Sequence, residues 1–202
     1  MDSPQKAFTI ENFLSEKELM HIDIISNKIP KQMNNDEKQT FTSGFNYSLI
    51  KKIVDEKLKN IFGEFNVKDC MILEETKPWD IHTDFNKGDT HPYYACLIPL
   101  EYDGKDTHTV VFNEEAKNRE EIFQLPESEN KLDTQTLAIL DHCNDKKLQR
   151  VSLLSSYKWK RGSLICWHRK LLHASDNFKK NKLDKKKALV MFLNQDKEEL
   201  NG

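Results

Sequence analysis

Short apolar runs separated by polar turns make up most of the chain after residue 65. The runs are residues 67–73, 79–85, 93–100, 107–112, 136–140, 151–154, 163–167 and 188–193. Runs of about four to eight residues are typical of strands, and many short strands at irregular spacing are typical of a double-sheet jelly roll or a barrel. This part of the sequence therefore predicts a mainly β fold. A polar excursion is expected at 113–130, partly helical at 114–121.

The first 65 residues carry a different pattern, which predicts helices. Ser15 followed by Glu18 is the sequence of a capping box, and apolar residues then recur at helical spacing until Pro30. A second helix is expected from Ser48 to a stop at Gly63. The N-terminal part is therefore predicted to supply helices that pack on the β fold.

Composition limits the class of protein. The 202 residues include 31 basic and 33 acidic side chains, for a net charge of −2, which argues against a protein that coats DNA. No signal peptide is visible, and no apolar stretch approaches the roughly 18 residues that a membrane span needs. We therefore expect a cytoplasmic protein that does not cross a membrane, with its four cysteines reduced. We also expect one domain, 1–202, with a helical part at 1–65 and a jelly roll at 66–194.

Two His-x-Asp triplets stand out, and local geometry separates them. His21 and Asp23 lie in a predicted helix, where residues two apart point about 200° apart and cannot share a ligand. His82 and Asp84 lie in the predicted strand 79–85, where side chains two apart point to one face, about 6.5–7 Å apart at the backbone. An imidazole and a carboxylate placed in this way can converge on one metal ion. Two histidines and one carboxylate form the facial triad of non-haem Fe(II) oxygenases.

The second histidine that the pattern indicates is His173. A strand led by glycine, 162–167, precedes it, and a basic residue opens the last apolar run, 187–193. Together with the His82 triplet and the lead-in at 8–15, the sequence resembles the 2-oxoglutarate- and Fe(II)-dependent oxygenases. The most similar branches are the phytanoyl-CoA-dioxygenase-like and prolyl-4-hydroxylase-like enzymes, and the resemblance extends over nearly the whole chain.

This resemblance implies a fold, a metal site and a reaction. The fold is a double-stranded β-helix, a cupin-like jelly roll, in which His82, Asp84 and His173 bind Fe(II). The implied cosubstrates are 2-oxoglutarate and O2, with ascorbate as an accessory reductant. The implied reaction is the hydroxylation of an organic substrate by a dioxygenase, with release of succinate and CO2.

The distal carboxylate of 2-oxoglutarate needs a cation in a partly buried place. No arginine follows Arg169, so the resemblance implies a lysine, as in the prolyl-hydroxylase branch. Lys187 is the first candidate; Lys186 lies on the opposite strand face, and a one-residue slip in register would exchange the two. Ser175, two residues after His173, matches a serine that assists this carboxylate in the phytanoyl-like branch.

The sequence leaves the substrate open. A small molecule or a peptide is expected, contacted by the loops 86–91 and 113–130. A nucleic acid is a weaker candidate, supported only by the six lysines in 179–187, which also match a solvated loop. A non-enzymatic, cupin-like binding module is the alternative to an enzyme.

Overall fold

The computed structural model describes residues 5–34, 39–42, 45–85, 92–101 and 106–195. Within these ranges the chain forms ten strands and four α helices. The strands are β1 (Ala7–Ile10), β2 (Lys31–Asn34), β3 (Gln39–Thr42), β4 (Phe65–Glu75), β5 (Pro92–Glu101), β6 (His108–Glu115), β7 (Leu153–Lys158), β8 (Leu164–His168), β9 (Leu171–Ser175) and β10 (Lys186–Gln195). The helices are α1 (Glu16–Ser26), α2 (Lys51–Phe62), α3 (Thr134–Ile139) and α4 (Asp145–Leu148), with 3₁₀ turns at Tyr47–Leu49 and Glu121–Gln124.

The strands form two antiparallel sheets. The large sheet has the order β1-β8-β5-β10-β4-β3-β2, and the small sheet has the order β7-β6-β9. One apolar cluster joins them, because Leu97 and Val190 of the large sheet pack with Val111 and Leu171 of the small sheet. The mainly β fold predicted from the sequence is confirmed.

The two N-terminal helices pack against the other face of the large sheet. Leu19 of α1 and Leu58 of α2 share an apolar cluster with Ile98 of β5 and Leu189 of β10. These side chains are almost fully buried, and burial of one leucine or isoleucine side chain stabilises a fold by roughly 1.5–3 kcal/mol. The β10 strand is therefore covered on both faces, by helices on one side and by the small sheet on the other.

Two of the four predicted helix ends lie at the expected residues, whereas α1 already ends at Ser26 and α2 begins at Lys51 after a 3₁₀ turn. The Glu18 carboxylate accepts a hydrogen bond from the backbone N–H of Ser15 at 2.7 Å, and the Ser15 hydroxyl accepts one from the N–H of Glu18 at 3.4 Å. The second helix ends at Gly63, which has a φ of +72° and donates its N–H to the carbonyl of Lys59. The capping box and the glycine stop are thus formed as the sequence predicts.

Several predicted elements are wrong. Residues 136–140 belong mostly to helix α3, because Asp133 caps the helix by accepting a hydrogen bond from the Thr136 N–H at 2.7 Å. Residues 79–85 form no strand; they make only an isolated bridge. Residues 114–121 are not helical, since β6 extends to Glu115 and the 3₁₀ turn starts at Glu121.

The sequence also missed three strands. The hairpin β2–β3 extends the large sheet from a region that was predicted to be helical, and β9 carries the segment around His173.

No helix in the described part of the chain is long and apolar enough to cross a membrane. The single-domain organisation of 1–202 stays a prediction.

Candidate metal centre

Backbone pairing brings His82 and His173 together, although they are far apart in sequence. The His82 N–H donates to the His173 carbonyl at 3.0 Å, and the His173 N–H donates to the His82 carbonyl at 2.9 Å. This isolated antiparallel bridge ties the segment after β4 to strand β9. The two imidazole rings lie 4.2 Å apart between centroids.

Asp84 completes a group that we call the His–Asp–His cluster. The potential ligand atoms of His82, Asp84 and His173 all lie within 4.8 Å of one another. Asp84 Oδ1 is 3.9 Å from His82 Nε2, and Asp84 Oδ2 is 3.4 Å from His173 Nε2. Donors that are each about 2.1 Å from one divalent ion lie at most about 4.2 Å apart, so these two distances fit a shared ion.

Hydrogen bonds orient both histidines for metal binding. His82 Nδ1 lies 2.8 Å from the Asp80 carbonyl, and His173 Nδ1 lies 3.1 Å from the Leu171 carbonyl. Because a carbonyl can only accept, Nδ1 carries the proton in each ring, and the lone pair of Nε2 points to the cluster. Burial, with the neighbouring His173, holds the pKa of His82 well below its usual range, which favours the neutral imidazole that binds metals. This donor set fits Fe(II).

Two buried side chains hold Asp84 in place. Trp167 Nε1 donates to Asp84 Oδ2 at 3.1 Å, which fixes the orientation of the carboxylate. The guanidinium of Arg169, which is fully buried, donates to the main-chain carbonyl of Asp84 at 3.1 Å and to Asn194 Oδ1 at 2.8 Å. Such partners fix the orientation of a metal ligand. The sequence alone does not reveal the contacts that Trp167 and Arg169 make with Asp84, because these contacts depend on strand pairing.

The His–Asp–His cluster borders a cavity of about 220 Å³ between the two sheets. Leu97 and Val190 line it from the large sheet, and Thr109 and Ala174 line it from the small sheet. Its polar lining residues outside the cluster are Glu75, Thr83, Thr109, Arg119, Ser175 and Lys186. A metal ion in the cluster would therefore face a half-open, mostly apolar space with a few polar groups.

The structure separates the two candidate lysines. Lys186 lines the cavity with 1% of its side chain exposed, and its ammonium lies 3.2 Å from Glu75 Oε2. Lys187 points to the opposite face of β10, where its ammonium lies 3.3 Å from Asp23 Oδ1 and 3.4 Å from Ser26 Oγ of α1. Lys187, the first candidate from the sequence, is not among the residues that line the cavity, because alternate side chains of a strand point to opposite faces.

Ser175 and two residues at the rim complete the surroundings. Ser175 lines the cavity, and its hydroxyl oxygen accepts a hydrogen bond from the Trp79 N–H at 2.6 Å, so its own proton is available to a ligand. The Trp79 ring stacks on His82 at 4.8 Å, and the Arg119 guanidinium lies over Trp79 at 5.2 Å. Arg119 belongs to the segment 113–130 that the sequence linked to substrate. The segment 86–91 lies outside the described residues.

Solved structures with this fold include several oxygenases. One is an oxidoreductase of the 2OG-Fe(II) oxygenase family from Burkholderia pseudomallei, with 12% identity, 94% of this chain and 85% of that chain covered, and a TM-score of 0.57. Another is HygX from Streptomyces hygroscopicus with nickel and 2-oxoglutarate bound, with 9% identity, 94% and 82% covered, and a TM-score of 0.57. A third is a Pseudomonas putida prolyl-4-hydroxylase, with 8% identity, 95% and 93% covered, and a TM-score of 0.53.

The similarity is one of fold. No protein-family model and no curated protein matches the sequence. The chain nevertheless has the fold of the 2-oxoglutarate- and Fe(II)-dependent oxygenases over almost its whole length. The resemblance that the sequence predicted is therefore confirmed at the level of the fold, and function has to be argued from the site.

Proposed function

We propose that the protein is an Fe(II)- and 2-oxoglutarate-dependent oxygenase with a double-stranded β-helix fold. The observation that carries the proposal is the convergence of His82, Asp84 and His173 on one point at the edge of a cavity that also contains a buried lysine. Two imidazoles and one carboxylate would hold the metal and leave further positions for other ligands, which is the donor set of non-haem Fe(II) oxygenases.

The metal and the cosubstrate would supply the chemistry, and the chain would orient them. When bound, Fe(II) and 2-oxoglutarate activate dioxygen, and the cosubstrate leaves as succinate and CO2 while one oxygen atom enters a C–H bond of the substrate. The chain itself supplies orientation: Trp167 and Arg169 hold Asp84, and backbone carbonyls hold the two imidazoles. The apolar walls of the cavity limit the access of water to the reacting atoms.

Lys186 is the residue that we propose for the distal carboxylate of 2-oxoglutarate. It is the buried cation of the cavity lining, and an ammonium removed from water attracts a carboxylate more strongly than an exposed one. Trp159 and Phe178 hold its Nζ from the far side, at 4.3 and 5.1 Å from their ring centroids. Ser175 is placed to donate its hydroxyl proton to the same carboxylate.

We infer that the substrate is a small organic molecule or a peptide side chain that enters past Trp79 and Arg119. HygX, which has the same fold, was also solved with nickel, 2-oxoglutarate and hygromycin B bound, at 9% identity. Of the lysine-rich run, Lys180 pairs with Asp141 and Lys185 with Glu74, so part of its charge is already balanced locally. Nucleic acid as substrate, a cytoplasmic location and a need for ascorbate stay predictions.

Uncoupled turnover tests the proposed function. The protein with Fe(II) and ascorbate should convert 2-oxoglutarate to succinate slowly without any substrate. His82→Ala should abolish this conversion, because it removes one of three metal ligands. The matched control is His21→Ala, which removes an exposed histidine of the other His-x-Asp triplet on α1 and should keep the conversion rate. Equal rates in the His82→Ala variant and the unaltered protein would refute the proposal.

A pair of neighbouring lysine variants tests the cosubstrate site. Lys186→Met should lose measurable 2-oxoglutarate binding while it keeps metal binding, because the cation of the cavity is gone. Lys187→Met should keep the 2-oxoglutarate affinity, since Lys187 contacts α1 on the other face of β10. Isothermal titration of the Mn(II)-loaded proteins measures both. The opposite result, with Lys187 essential and Lys186 dispensable, would overturn the assignment.

A further inference from the structure

A buried carboxylate already occupies the place beside Lys186. Glu75, the last residue of β4, lies directly opposite Lys186 of β10 in the sheet register. Its Oε2 is 3.2 Å from the lysine Nζ, only 9% of its side chain is exposed, and it lines the cavity with Lys186. Glu75 Oε2 is buried, and the Lys186 ammonium is the charged group beside it. A carboxyl group in this place accepts hydrogen bonds when it is ionised and can donate one when it is protonated.

The charges around this pair leave no surplus of positive charge for a second anion. Asp176, just after β9, raises the pKa of Glu75 through its charge, and Asp176 itself lies 3.5 Å from His108 Nδ1 of β6. The other positively charged residue that lines the cavity is Arg119. Its guanidinium lies over the Trp79 ring and not next to Glu75 and Lys186. Lys186 and Glu75 together are neutral when both are charged.

Burial, the charge of Lys186 and a hydrogen bond together determine how easily the Glu75 carboxyl group takes up a proton. Burial raises the pKa of Glu75, and this effect is larger than the opposing attraction of Lys186 and the hydrogen bond from the Trp79 side chain. The carboxyl group is therefore easier to protonate than an exposed glutamate. If a ligand carboxylate arrives at Lys186, two negative groups share one ammonium, and a proton on Glu75 removes the repulsion.

We propose that 2-oxoglutarate binding at Lys186 is accompanied by the uptake of one proton on Glu75. The Lys186 ammonium then pairs with the ligand carboxylate instead of Glu75, and the neutral Glu75 carboxyl donates a hydrogen bond to that carboxylate. This inference rests on the proposed function and deepens it. One O–H bond forms on Glu75 and one breaks in the water or buffer acid that gives up the proton, and no other covalent bond changes. Glu75 thereby acts as a positioning and specificity-determining residue, because it favours ligands that arrive with a negative group and accept a hydrogen bond.

The coupling between ligand binding and proton uptake determines the direction in which the Kd for 2-oxoglutarate changes with pH. A proton taken up on binding makes the affinity highest at low pH, where Glu75 is protonated before the ligand arrives. Between the pKa of Glu75 in the free protein and its higher pKa in the complex, the Kd for 2-oxoglutarate rises about tenfold for each pH unit, because one proton is consumed per ligand. The carboxylates of 2-oxoglutarate are fully ionised between about pH 6.5 and 8.5, so they do not contribute to this slope.

Calorimetry on the Mn(II)-loaded full chain measures the proton directly. 2-Oxoglutarate is titrated in two buffers of different ionisation enthalpy, between about pH 6.5 and 8.5. The expected result at the upper end of this range is an uptake of close to one proton, together with a Kd that rises with pH. Binding without proton uptake at any pH would overturn the inference and leave the proposed function standing. Absence of 2-oxoglutarate binding at every pH would contradict the proposed function itself.

Two neighbouring glutamate variants assign the proton to its residue. Glu75→Gln keeps the shape and the hydrogen-bond donor but cannot titrate, so its Kd should be independent of pH. As the pH rises towards about 8.5, this Kd should fall below that of the unaltered protein, which loses affinity about tenfold for each pH unit. Glu74→Gln is the matched control, because Glu74 pairs with Lys185, which is not among the residues that line the cavity. It should keep the proton uptake and the slope. A Glu75→Gln variant with an unchanged slope would refute the assignment to Glu75.

Discussion

The hydrogen bond from Trp167 to Asp84 gives a quantitative test of how the metal centre is held. Trp167 is 3% exposed, and its Nε1 donates to Asp84 Oδ2 at 3.1 Å. The Trp167→Phe variant keeps an aromatic ring next to His173 but removes this donor. A hydrogen bond to a charged partner contributes about 1.5–3 kcal/mol. Since about 1.4 kcal/mol is a factor of ten, the upper limit of the loss is roughly 150-fold in metal affinity.

We expect Trp167→Phe to weaken Mn(II) or Fe(II) binding by about 10–100-fold, as is usual when a partner of a metal ligand is lost. Anaerobic equilibrium dialysis or competition with a chelator of known affinity measures the Kd. The matched control is Trp159→Phe, which removes the same atoms from a buried tryptophan whose Nε1 donates to the neutral Thr109 hydroxyl at 3.0 Å. Metal affinities of the two variants within twofold of each other would refute the role of Trp167.

Two further predictions concern the fold. Gly162→Ala should lower the free energy of unfolding by about 1–3 kcal/mol in a denaturant titration. The reason is that Gly162 has a φ of +73°, and an added Cβ would lie 2.8 Å from the Leu14 carbonyl oxygen. An unchanged denaturation midpoint would contradict this prediction. The four cysteines should resist alkylation at about pH 8 in the folded protein and react fully in denaturant, since burial raises the pKa of Cys70 and of Cys143 to about 12 and leaves only about one thiolate in 10⁴. Rapid labelling of the native chain would show that these thiols are accessible.

The spacing of His82 and Asp84 predicted that the two side chains lie close together, and they do, although the local structure is not the predicted strand. The sequence placed them on a strand, whereas the segment pairs with β9 only through the isolated bridge at His173. The two side chains are nevertheless close, because Asp84 Oδ1 lies 3.9 Å from His82 Nε2. The distant partner, His173, was found by its resemblance to a family pattern and not by local physics.

The choice between Lys186 and Lys187 shows where sequence patterning fails. The pattern correctly placed them on opposite faces of β10. Both faces of this strand are apolar, because Leu189 packs with the helices and Val190 packs between the sheets. A strand buried on both sides has no hydrophobic alternation, so its sequence does not say which face meets the cavity.

The contact between Glu75 and Lys186 depends on strand pairing, which the sequence does not show. Glu75 faces Lys186 because β4 and β10 are neighbours in the large sheet, although the two residues are far apart in the chain. Helix α3 could have been recognised from Asp133, since aspartate is a preferred N-cap residue in front of an apolar run. The short run itself fits a helix and a strand equally well.

The number of Fe(II) ions bound per chain tests the central claim most directly. Anaerobic equilibrium dialysis should give one ion per chain for the unaltered protein and almost none for His173→Ala, with thermal unfolding followed by circular dichroism to confirm that the variant is folded. His21→Ala, in the helical His-x-Asp triplet, should still bind one ion. Full metal occupancy in a folded His173→Ala variant would contradict the assignment of the His–Asp–His cluster as the metal centre.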